Sequence, residues 1–80
     1  MTDIQIDKED PNRSPLYIQI MNRILDKIRS GDLKAGDKLP SINYLSKILD
    51  VNVNTAAKAY RYLELSGVII KERGKGAFVA

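Results

Sequence analysis

The sequence predicts a mainly α fold closed by a small β-hairpin, the winged helix-turn-helix plan. Three observations lead there. Three stretches carry apolar residues at helical spacing. Only a short turn separates the second from the third. After Gly67 the pattern changes to β-branched runs on either side of Arg73-Gly74-Lys75-Gly76.

The elements follow in order. Residues 1–13 are expected to form an arm or short edge strand, with Ile4-Gln5-Ile6 alternating ahead of acidic residues and Pro11, before a domain over 14–80. The four acids of the arm lack the glycine and ligand spacing of a calcium loop and suit a solvated tail. Ser14 fits a helix cap and Pro15 the first helical position, where its missing N–H costs nothing. Leu16, Tyr17, Ile20, Met21, Ile24, Leu25 and Ile28 then form a broad apolar stripe, and Gly31 stops the helix.

A turn-rich connector follows, with Leu33 and Leu39 expected to point inward. Ser41 caps a second helix of about two turns that buries Ile42, Leu45, Ile48 and Leu49. Asn52 caps the third helix, with Asn54 an alternative that starts it slightly later. That helix is expected over 53–66, with Ala56, Tyr60 and Leu63 on one stripe. The small alanines allow close approach to the second helix. Residues 68–80 complete the plan as a hairpin whose tip carries Arg73 and Lys75.

Composition narrows the chemistry. The 80 residues contain no Cys and no His, which excludes zinc fingers, thiol nucleophiles, Ser-His-Asp triads and disulfide frameworks. No catalysis and no cofactor are expected. The absence of cysteine fits a cytoplasmic location, and no apolar run is long enough to span a membrane. A net charge of +3 hides an asymmetry. Residues 1–10 set four acids against Lys8, a net of −3, which leaves +6 on the remainder. Lys58, Arg61, Lys71, Arg73 and Lys75 face only Glu64 and Glu72 in the last thirty residues. Such a balance suits a polyanionic partner.

The scaffold gives those charges a use. A helix over 53–66 is about 21 Å long and narrow enough for a DNA major groove. Its first turn and a half offers Asn54, Thr55 and Lys58, with the cap Asn52 just before it and Arg61 beyond. An amide can pair with adenine, and a cation with guanine or phosphate. Arg73, Gly74, Lys75 and Gly76 place charge and accessible backbone against the minor groove or phosphates. Ser41 and the second helix's N-terminus offer donors to a phosphate. Each also has a plain structural role: Asn54 as a cap, Thr55 as a first-turn residue, the cations as solvated surface, and 73–76 as a hairpin turn. That turn lacks the spacing of a Walker loop.

Several motifs resemble the GntR family of transcription regulators, most of all its YtrA-like subfamily. They are Pro15-Leu16-Tyr17-Ile18-Gln19-Ile20, Gly31-Asp32-Leu33, and Gly36-Asp37-Lys38-Leu39-Pro40-Ser41. The likeness continues through Val51-Asn52-Val53-Asn54-Thr55, Lys58-Ala59-Tyr60, Leu63-Glu64, Gly67 and 73–79. The resemblance implies a double-stranded DNA partner, an inverted-repeat operator bound by a homodimer, and repression. It also implies a further region that binds an effector of unknown identity or dimerises, which these residues do not include.

The sequence departs from the family at several positions. Many relatives carry arginine where Val53, Ala57 and Asn43 stand, which moves the expected readout onto Asn54, Thr55 and Lys58. Asp50 replaces a common glycine, and Ile42 and Tyr44 replace polar residues. Two other plans use the same domain. One is a protein-interaction module whose sticky face is Ile42, Tyr44 and Tyr62. The other is the head of a MocR-like regulator fused to a pyridoxal-phosphate aminotransferase-like domain.

Overall fold

A computed structural model describes residues 15–80, so the arm over 1–13 and the Ser14 cap lie outside the described residues. Three helices, α1 (Leu16–Ser30), α2 (Ile42–Leu49) and α3 (Val53–Leu65), precede strands β1 (Ile69–Glu72) and β2 (Gly76–Val79). The strands pair antiparallel, with Ile69 opposite Val79 and Glu72 opposite Gly76. This is the expected winged helix-turn-helix.

Pro15 sits one position earlier than expected. Its ψ of 151° is extended, which makes it the residue flanking α1 rather than the first helical one. Its carbonyl accepts from the N–H groups of Ile18 and Gln19 at 3.0 and 3.1 Å. Proline has no side-chain oxygen, so no side-chain cap forms there. At the other end Gly31 takes φ 88° and donates its N–H to the Ile28 carbonyl, and Leu33 folds back into the core.

One core joins all the elements. Ile20 and Ile24 of α1, Leu45 and Leu49 of α2, and Ala56, Ala59, Tyr60 and Leu63 of α3 are buried with Leu33, Leu39, Ile69, Ala77 and Val79. Ala56 and Ala59 are fully buried, and their small side chains let α3 lie close against its neighbours. Ile48, expected inside, is 39% exposed. Leu45 and Leu49 already fill the inward side of a helix only eight residues long.

The connector holds the hairpin in place. Lys38 bridges Phe78 in antiparallel fashion. The Leu39 N–H donates to the Ala77 carbonyl, the Gly36 N–H to the Val79 carbonyl at 2.8 Å, and the Val79 N–H to the Asp37 carbonyl at 2.9 Å. The connector therefore works as a short third strand along β2. It ties the base of the hairpin to the start of α2.

Candidate nucleic-acid interface

The turn between α2 and α3 fixes how α3 is presented. Asp50 closes α2 in the left-handed region at φ 53°, where a glycine would sit without steric cost. Val51 donates to the Ser46 carbonyl at 3.0 Å. Asn52 then caps α3, its Oδ1 accepting from the Asn54 N–H at 2.7 Å. Asn54 is therefore inside the helix and is not its cap. At α2, the Ser41 Oγ accepts from the Tyr44 N–H at 3.1 Å. Both cap oxygens are thus engaged in holding helix ends. Ser41 and Asn52 remain exposed at the surface.

α3 divides cleanly into two sides. Ala56, Ala59, Tyr60 and Leu63 face the core. Asn54, Lys58, Arg61 and Leu65 recur at helical spacing on the opposite side and are exposed. A shallow groove of about 430 Å³ runs along that side. Thr55 is half-buried on the flank, so it is presented less fully than Asn54. The Tyr60 hydroxyl donates to the Pro40 carbonyl at 2.7 Å, joining α3 to the residue before α2's cap. Burial of its ring keeps this phenol protonated well above the usual tyrosine range.

The charges on α3 differ from those on α1. Arg23 and Arg29 of α1 both lie near Asp26, at 3.8 and 3.7 Å. Among the described residues, Lys58 and Arg61 have no carboxylate partner within salt-bridge distance. The Lys58 ammonium sits instead over the ring of Tyr17, 4.2 Å from its centroid.

The wing carries the second set. Arg73, Gly74 and Lys75 form its tip, while Gly76 already belongs to β2. The Lys75 ammonium lies 4.0 Å from Glu72 in an exposed pair, which contributes little energy. Arg73 makes no ion pair among the described residues. A cleft of about 590 Å³ separates the wing from the start of α2, lined by Lys38, Ser41, Lys71, Arg73 and Lys75 among others.

Lys38 is the residue that sequence reasoning missed as a site candidate. Its side chain runs past Gly76, where an added Cβ would lie 3.2 Å from the Lys38 Cε. The bridge to Phe78 and the backbone bonds on either side of it bring Lys38 there, and so short a pairing leaves no period in the sequence. Tyr17 was also missed as a neighbour of the site, having been read as packing alone.

The sticky face of the alternative plan is only partly present. Ile42 is half-buried against the core, and the Tyr62 ring packs on Tyr17 with centroids 5.6 Å apart. Tyr44 and Tyr62 stay exposed, at 49% and 41%. Among the described residues no helix is long and apolar enough to cross a membrane. The same residues hold no group of His, Cys, Asp or Glu suited to a metal ion.

Comparison with known proteins follows the same lines. The chain is 40% identical over 77 residues to the HTH-type transcriptional repressor YtrA of Bacillus subtilis, covering 96% of this chain and 58% of that protein. The structure of YtrA from Sulfolobus acidocaldarius, a GntR-family transcription factor, matches with a TM-score of 0.83 and 43% identity. That match covers 95% of this chain and 78% of the other. The DNA-binding domain of AraR, crystallised in complex with operator ORE1, matches at TM-score 0.81 and 29% identity, over 95% and 93% of the two chains. The chain spans 54 to 62% of the length of three curated relatives that it matches. Residues 16–79 match the family described as bacterial regulatory proteins, gntR family. With its fold, its exposed helix face and these relatives in agreement, the chain belongs to the GntR family.

Proposed function

We propose that this chain is the DNA-binding domain of a transcription regulator that acts as a repressor. In this reading α3 enters the major groove and the wing rests on the adjacent minor groove or backbone. One observation carries it: α3 offers an exposed side with Asn54, Lys58 and Arg61, and among the described residues neither cation has an acidic partner. The opposite side is locked into the core. Asn54 supplies an amide able to pair with adenine, and Lys58 and Arg61 supply charge for polyanion attraction. Arg73, Lys75 and Lys38 surround the wing cleft with further cations. The repressor name of the B. subtilis relative and the operator complex of AraR support the assignment. Two copies binding an inverted repeat complete the proposal, since paired recognition helices read pseudo-palindromic half-sites.

Selection of duplexes from a random pool tests this directly. Enrichment of an inverted repeat, bound more tightly than random sequence and more weakly as salt rises, is the expected result. Retention of no sequence over the starting pool would overturn the proposal.

A further inference from the structure

We infer that Tyr17, at the start of α1, is a positioning residue that turns Lys58 away from the base edges and onto the DNA backbone; this rests on the DNA-binding reading above. Asn54 and Arg61, seven residues apart, define the outward line of α3. Lys58 and Tyr62, four apart, sit on the side of that line nearest α1. The Tyr17 ring packs on Tyr62 with centroids 5.6 Å apart and planes inclined by 32°. Tyr17 is half-buried against the core, so its ring is a fixed platform. The Lys58 ammonium lies over that platform, 4.2 Å from the centroid, well within the range where a ring's negative face attracts a cation.

A helix in the major groove presents its outward line to the bases and its flanks to the phosphates that border the groove. Held toward α1, Lys58 occupies a flank. The ring keeps the charge in place without neutralising it, as a carboxylate would. Asn54 therefore carries the base readout of the first turns, and Lys58 grips the backbone whatever the sequence.

The test compares the 80-residue chain with Lys58→Ala, Tyr17→Phe, Tyr17→Leu and the Tyr17→Leu/Lys58→Ala double variant. Each is titrated with a selected duplex and a random duplex over a range of salt. Lys58→Ala is expected to lose the same fold of affinity on both duplexes and to flatten the log–log salt slope by about 0.9, one phosphate contact. Tyr17→Leu should lose about two- to fivefold on both, the scale of an exposed cation–π contact. Tyr17→Phe, which keeps the ring, should match the parent. In the Lys58→Ala background Tyr17→Leu should add no loss.

A Lys58→Ala loss confined to the selected duplex, or an undiminished Tyr17→Leu loss in that background, overturns the assignment while DNA binding stands. Proton NMR of the free chain gives a check independent of DNA and of any loss of folding in Tyr17→Leu. The Lys58 ε-methylene protons should be shifted upfield by the ring in the parent and in Tyr17→Phe, and unshifted lysine protons would refute the contact. Failure of the parent chain to bind either duplex would instead defeat the DNA-binding reading, and this assignment with it.

Discussion

α3 and the wing both expose cations, but on supports of different stiffness. α3 is anchored along its length by Ala56, Ala59, Tyr60 and Leu63, all almost fully buried. The wing is anchored only at its base, through Ile69, Ala77, Val79 and the backbone bonds to the connector. Its tip is exposed, with Gly74 in the tip and Gly76 at the start of β2 both at positive φ. Base recognition demands atoms held to within a fraction of an ångström, whereas attraction to phosphates tolerates movement. In the proposed reading the difference divides the labour: α3 suits reading and the wing suits gripping.

The largest expected effect comes from removing α3's anchor. Leu63→Ala should cost about 2–5 kcal/mol of stability, because the buried methyl groups leave a cavity in a small core. Urea denaturation measures it; a loss under about 1 kcal/mol would show that α3 is less firmly seated than the structure implies.

Next comes the tip-side end of the wing, where β2 begins. Gly76→Ala places a Cβ at φ 114°, 3.2 Å from the Lys38 Cε, and should cost more than about 1 kcal/mol. An unchanged melting temperature would mean that the wing yields more easily than described.

A smaller effect separates α3 from the connector. Tyr60→Phe removes the bond to the Pro40 carbonyl, worth about 1 kcal/mol. It also changes the response to alkali. Burial raises the folded phenol above its ordinary value of 10.0, so its contribution is complete below about pH 10 and lost as pH rises above it. Stability measured from pH 8 to 11 should fall less steeply in Tyr60→Phe than in the parent. Equal slopes would contradict a buried, protonated Tyr60.

Much of this architecture was legible in the sequence because local chemistry decides it. Ser41 and Asn52 each stand just before an apolar helical pattern, and each accepts a cap bond. Gly31 ends α1 as its position suggests. The α3 stripe read as Ala56, Tyr60 and Leu63 is the buried one. What escaped is tertiary. The Lys38–Phe78 bridge joins residues forty apart through a single pair, and Tyr17 meets Lys58 only once α1 and α3 have packed. Ile48 fits the inward period of α2, yet a short helix with two leucines already buried has no room to bury it. Pro15 fits either side of a helix start, because its fixed φ suits both.

The division between reading and gripping is tested most directly by two variants on two duplexes. Asn54→Ala and Arg73→Ala are each titrated with a selected operator and with a random duplex at several salt concentrations. The account predicts that Asn54→Ala costs about 1–3 kcal/mol on the operator and little on random DNA. Arg73→Ala should weaken both duplexes alike and flatten the salt slope by about 0.9. Equal losses on both duplexes for Asn54→Ala, or an operator-specific loss with an unchanged slope for Arg73→Ala, would contradict it.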